Sequence, residues 1–148
     1  MIYQGEKMRM PDLGLKGFSL IELLVVMVII GLLAALVAPR FMRQEEKAKI
    51  KVARAQIELL GTALDTFRLD VGRYPSTQEG LEALRRQPGG VERWDGPYIK
   101  KDVPSDPWGK PYVYQSPGEH GPYDLLSYGA DGSPGGDSDN RDITSWEG

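Results

Sequence analysis

The sequence holds 148 residues, 41% of them hydrophobic and 26% charged, the size and average make-up of one soluble domain. Eighteen Lys and Arg against 21 Asp and Glu leave a net charge of -3, which argues against a general nucleic-acid binder. With no Cys and one His, disulfides, thiolate or His-based metal sites, Cys nucleophiles and Ser–His relays have almost no material, so an enzyme is the less favoured class.

These averages conceal a strong asymmetry. Residues 1–17 form a weakly polar leader that closes on Lys16 and Gly17, with Met8 and Met10 as alternative starts. Phe18 to Pro39 then reads FSLIELLVVMVIIGLLAALVAP, 22 residues with a single charge, Glu22. As a helix this block spans roughly 30 Å, about the hydrocarbon thickness of a bilayer. A secretory signal that is removed fits poorly, because an h-region has about 7–15 residues and a small-residue exit. Here the best exit, Leu36-Val37-Ala38, runs straight into Pro39. The block reads as a retained membrane helix.

Glu22 needs a reason to be there, since a carboxylate in hydrocarbon costs on the order of 3 kcal/mol. A cut after Gly17 would free the α-amine of Phe18, one helical turn from Glu22 and on the same face. A carboxylate in the first turn also suits the positive end of the helix dipole. With such helices side by side, Glu22 compensates the ammonium of a neighbouring chain. The alternative is a glutamate that snorkels to the interface.

Beyond Pro39 the helical pattern continues. Ile50, Ala53, Ile57, Leu60, Leu64, Phe67 and Val71 recur at steps of three and four, one apolar stripe on which a small domain can fold. Pro39 removes one backbone hydrogen bond and kinks such a helix without necessarily ending it. A helix from Phe18 to Val71 is about 80 Å long. Residues 40–54 carry six basic and two acidic groups, net +4, against net +1 in the leader. By charge bias alone the C-terminal part would lie in the cytoplasm.

Gly72-Arg73-Tyr74-Pro75 reads as the turn that ends the helix. Ser76 and Glu79 form a capping box for a short helix over Gly80–Arg86, closed by Pro88-Gly89-Gly90. Tyr112–Gln115 and Tyr123–Tyr128 are the best strands, an antiparallel hairpin packed on the stripe. His120 and Trp94, Trp108 and Trp146 read as structural residues. The expected class is α+β: a long N-terminal helix, half membrane and half amphipathic, packed by a small antiparallel β-sheet head.

The last 31 residues hold seven acidic groups and one basic group, net -6. Within Gly129–Asp142 the short carboxylates and glycines suit Ca²⁺, which takes about six to eight hard oxygens including backbone carbonyls. The loop is not an EF-hand: Asp137-x-Asp139 begins like one, but Arg141 and Asp142 break the pattern. A solvated acidic turn is the other reading.

Lys16-Gly17-Phe18-Ser19-Leu20-Ile21-Glu22 resembles the class III signal sequence of type IV pilins and type II secretion pseudopilins. The resemblance implies that a prepilin peptidase cuts between Gly17 and Phe18, that Phe18 is N-methylated, and that Glu22 serves assembly. It also implies that the stretch bracketed by Gly31 and Pro39 loses helical hydrogen bonding as subunits enter a filament.

Asp106–Tyr112, Pro117–Leu125, Ser127–Gly132, Asp142-Ile143 and Trp146 resemble the major pseudopilins of type II secretion. That likeness implies a type IV pilin-like fold and calcium in the acidic loop. Asp131 and Asp142 are the most portable ligands, Tyr128 offers a carbonyl, and Asp137, Asp139 and Asn140 are further candidates. The implied plan is a leader at 1–17, a membrane and filament-core helix at 18–39, its amphipathic continuation at 40–71 and a calcium-binding head at 72–148.

The implied partners are copies of the chain itself, the prepilin peptidase, minor pseudopilins and an inner-membrane assembly platform, with the membrane before assembly. The implied setting is a single-pass inner-membrane protein whose head and filament lie in the periplasm, against the charge bias. The expected function is a structural subunit of the filament that drives protein export. The alternative is a type IV pilus subunit for adhesion, motility or DNA uptake, from which the missing cysteines separate this chain. A membrane-anchored hydrolase built on the acidic loop finds no catalytic spacing.

Overall fold

The alternating three- and four-residue spacing of apolar side chains is realised as one helix, α1 (Leu20–Val71, 52 residues), with Pro39 inside it. The computed structural model describes Gly14 and residues 16–147. Most of the leader therefore lies outside the described residues. The chain divides into two units, residues 1–39 and 40–148.

In the first unit Lys16–Ser19 have no regular structure, and the helix starts at Leu20, with Leu23 N–H donating to the Ser19 carbonyl at 3.2 Å. Every residue from Leu20 to Pro39 is exposed, so this apolar stretch has no covering among the described residues. Burying such side chains is worth about 1.5–3 kcal/mol each, which makes water an unfavourable surrounding for it.

In the second unit the stripe of α1 is the floor of the core. Ala53, Ile57, Leu60, Ala63, Leu64 and Phe67 are buried, while Ile50 and Val71 pack at its edges. Leu81, Ala83, Leu84, Val91, Tyr112, Tyr114, Leu125 and Ile143 close over them. The helix ends where Gly72, at φ +90°, donates its N–H to the Arg68 carbonyl at 2.8 Å.

The Ser76–Glu79 box forms as expected. Glu79 N–H donates to Ser76 Oγ at 3.2 Å, and Ser76 N–H donates to Glu79 Oε2 at 2.8 Å. The short helix expected after it is reduced to a single 3₁₀ turn at Leu81–Leu84. Gly80, at φ 61° and ψ -168°, has a non-helical backbone and separates the box from that turn. The box therefore closes a turn.

The hairpin is β1 (Val113–Gln115) against β2 (Asp124–Ser127), antiparallel, with Tyr114 opposite Leu125. A third strand, β3 (Ile143–Thr144), pairs with the other edge of β2, giving the order β1-β2-β3. Two residues are too few for an alternating pattern, so β3 escapes a reading by periodicity.

The segment between the 3₁₀ turn and β1 has no regular elements and is tied down by aromatic groups. Trp94 donates Nε1–H to the Ala83 carbonyl at 2.7 Å, and Tyr98 donates its hydroxyl to Asp70 at 2.9 Å. Tyr98 stacks edge-on with both Phe67 and Trp94. Tyr112 bonds Gln56 through its hydroxyl, and Trp108 donates Nε1–H to Glu46 at 3.0 Å. Burial pushes the Tyr114 hydroxyl up to about 12, and it donates to the Pro75 carbonyl at 2.7 Å.

Candidate assembly helix and cation loop

Glu22 sits in the first turn of α1 and is exposed, as are Phe18 and Gly17 before it. The expected cleavage bond, Gly17–Phe18, thus lies in exposed chain without regular structure, just ahead of the helix. Among the described residues, nothing beyond the adjoining chain comes within 4 Å of where a Cβ at Gly17 or Gly31 would stand. Gly31 and Pro39 are both helical here, inside the unbroken span of α1.

The acidic loop leaves β2 at Tyr128 and returns into β3 after Asp142. Its legs are drawn together closely: a Cβ on Gly129 (φ +68°) would stand 2.8 Å from the Arg141 carbonyl oxygen. Asp131 Oδ1 accepts from the Ser133 N–H at 3.1 Å, and Asp142 Oδ2 accepts from the Gly135 N–H at 2.9 Å. Asp137 caps a 3₁₀ turn at Ser138–Asn140 without a side-chain bond, and Asp139 belongs to that turn.

Among the described residues no three acidic, His or Cys side chains converge as a cage. The structure therefore brings Asp131, Asp137, Asp139 and Asp142 into one loop but not into one carboxylate cluster. One observation does speak for a cation. Asp142 Oδ1 is buried and has no hydrogen-bond partner, a costly condition for a carboxylate oxygen. Carboxylates and backbone carbonyls are the hard oxygens that Ca²⁺ accepts, so the chemistry of Asp131, Asp142 and the Tyr128 carbonyl fits it.

Two buried acids that brace the head escape a reading of the sequence. Asp106, 4% exposed, accepts from Ser127 Oγ at 2.6 Å and from the Trp108 and Lys110 N–H groups at 3.1 and 2.8 Å. It pins the Asp106–Lys110 turn to the end of β2, where the loop begins. The Asp-Pro-Trp-Gly run is its available signal, an aspartate ahead of a turn whose Gly109 has φ +82°.

Asp124, 5% exposed, takes the Glu119 and His120 N–H groups and the His120 ring Nδ1 at 2.9–3.1 Å. Burial pushes its carboxyl up, but the bonds from the His120 ring and the two backbone groups outweigh this and hold it below its ordinary value. His120 in turn lies flat on Trp146, ring centroids 3.9 Å apart. Its role is structural: it joins the hairpin to the segment after β3.

A long helix bared of cover at its N-terminal half, carrying a glutamate in its first turn and a small β head farther along, defines a pilin-type subunit. The prokaryotic N-terminal methylation motif matches residues 16–38, and the model of type II secretion system protein G matches residues 40–146. The type II secretion system core protein G of Pseudomonas aeruginosa is 48% identical over 134 residues, covering 88% of this chain and 94% of that one. Its counterpart in Escherichia coli is 47% identical, covering 88% and 90%. The crystal structure of the major pseudopilin from the type 2 secretion system of enterohaemorrhagic Escherichia coli superposes with a TM-score of 0.61 at 34% identity, covering 71% of this chain and 92% of that one. The chain belongs to the type II secretion system protein G family.

Proposed function

We propose that this chain is the subunit that polymerises into the periplasmic pseudopilus driving protein export. The observation that carries this reading is the division of labour along α1. The head covers only the stripe from Ile50 onward, and the whole apolar stretch from Leu20 to Pro39 is left for lipid or for other copies. In this reading the prepilin peptidase cuts between Gly17 and Phe18 and the new terminus is methylated. Glu22 then accepts the Phe18 ammonium of a neighbouring copy as the helices leave the bilayer. Minor pseudopilins and an inner-membrane platform receive the subunit, and the head stands in the periplasm.

The site proposed for Ca²⁺ is Asp131, Asp142 and the Tyr128 carbonyl, with Asp137 and Asp139 as outer candidates. These oxygens would hold the ion, which would supply positive charge to the acidic loop. The work of the molecule is assembly and not catalysis.

Glu22→Ala is expected to leave cleavage and N-methylation of Phe18 intact by mass spectrometry while filament yield falls at least tenfold. Normal filament yield from that variant would exclude the role given to Glu22. An intact leader on the wild-type protein would remove the premise of a freed Phe18 amine.

A further inference from the structure

The basic flank that argues against a periplasmic head has no part in the proposed function. Five of its cations, Arg40, Arg43, Lys47, Lys51 and Arg54, recur at steps of three, four, four and three. At 3.6 residues per turn they fall within an arc of about 80° on α1. All five are exposed. No salt bridge among the described residues includes any of them, although Lys49, Arg73 and Arg85 each have a carboxylate partner.

The acids of the same segment are engaged elsewhere. Glu45 and Glu46 both bind Lys49, at 3.1 and 3.5 Å, and Glu46 also holds the Trp108 indole. A row of cations without a salt-bridge partner among the described residues thus starts at the first residue after Pro39. Like charges in a row repel, so the arrangement calls for an external counter-charge.

Depth along the helix narrows the source. At 1.5 Å per residue, Arg40 and Arg43 lie within about 6 Å of Pro39 and Lys47 about 12 Å from it. A headgroup layer is roughly 5–8 Å deep and the Debye length about 8–10 Å, so these three cations can feel the surface. Phe41 and Met42, 75% and 69% exposed, stand at the same level, where large apolar side chains suit the boundary of hydrocarbon and water. The far end of the row faces its own chain: Arg54 lines a cavity of about 100 Å³ with Asp142 and Glu147.

We propose that Arg40, Arg43 and Lys47 are a seat for anionic phospholipid headgroups, fixing the depth of the unassembled subunit in the leaflet where α1 emerges. The proposal rests on reading residues 20–38 as a membrane span. It gives the basic flank a task that does not depend on which side of the membrane the head occupies.

The test uses the full chain with one fluorophore at Ala48→Cys, reconstituted in phosphatidylcholine vesicles. A trace of nitroxide-labelled phosphatidylglycerol or of nitroxide-labelled phosphatidylcholine serves as quencher. Each cation near an anionic surface is worth roughly a fivefold preference. Quenching by the glycerol lipid should therefore exceed that by the choline lipid at least about threefold. The preference should fall to parity in about 0.5 M salt.

The variant Arg40→Gln/Arg43→Gln/Lys47→Gln should sit at parity, while Arg40→Lys/Arg43→Lys and Lys51→Gln/Arg54→Gln keep the preference. Equal quenching in the wild type, or an undiminished preference in the triple variant, overturns the proposal. So does a triple variant that keeps the lipid preference but loses cross-linking between copies, because the row is then a protein contact. A chain that fails to float with the vesicles at all removes the membrane span itself, a failure distinguishable from loss of lipid selectivity.

Discussion

At the scale of single residues, the carboxylates of the head are set against one another by their surroundings. Arg73 grips Glu79 with two bonds of 2.8 Å, and this, outweighing partial burial, holds the Glu79 carboxyl at about 2, well below its usual 4.5. A carboxyl depressed on folding contributes stability above its unfolded value, and that contribution is lost as pH falls toward the folded one. Glu79 should thus stabilise the head fully above about pH 5 and hardly at pH 2. Glu79→Gln keeps an oxygen for the Ser76 N–H but loses the charge. It is expected to cost about 1 kcal/mol at pH 7, the half-exposed arginine limiting the effect, and almost nothing at pH 2. Urea unfolding in detergent, followed by tryptophan fluorescence, reads the difference; an equal cost at both pH values would show that charge is not what Glu79 contributes.

The buried acids show how far single residues can be read in a sequence. Lone aspartates such as Asp106 and Asp124 look like any surface acid until Ser127, His120 and the backbone are folded around them. Their meaning lies in contacts made by the folded chain, which no local spacing encodes. The Ser76–Glu79 pair is legible because both its bonds are local.

At the scale of elements, α1 is the part whose sequence speaks most clearly. Its buried set matches the three-and-four periodicity, because one face of a helix must repeat that way. Leu64 is fully buried in the centre of that face, so Leu64→Ala is expected to cost about 2–5 kcal/mol and lower the melting temperature of the head sharply. Leu59→Ala, on the exposed face, should change it by less than about 0.5 kcal/mol. Similar losses at both positions would mean that the stripe is not the floor of the core. The β elements are harder to read: the hairpin alternates weakly, β3 is only two residues long, and the expected short helix yields to a 3₁₀ turn at Gly80. Trp94, Tyr98 and Trp108 take the place of regular structure in the segment before β1, holding it by indole and phenol hydrogen bonds.

At the scale of the molecule, the acidic loop is where charge and fold meet. The sequence discloses the acids but not their spacing in the fold, which leaves one buried oxygen of Asp142 without a partner. That oxygen makes the calcium proposal testable by the sign of an effect. Asp142→Asn keeps an acceptor for the Gly135 N–H and removes a carboxylate oxygen that has no partner, so in chelator it should melt no lower than the wild type. In calcium it should melt several degrees lower, because a ligand that binds only the folded head adds about 2.7 kcal/mol at one hundred times its Kd. An equal drop in both conditions would reject Asp142 as a ligand.

The hydrophobic core takes up α1 only from Ile50 onward, and no residue of the helix before Ala53 is buried in it. Work done in drawing residues 20–39 out of a bilayer is therefore not taken from the free energy that keeps the head folded. A subunit organised this way can exchange lipid for protein neighbours along one end while the other end stays at equilibrium with itself. A change of neighbours along residues 20–39 therefore leaves every contact of the head's core in place.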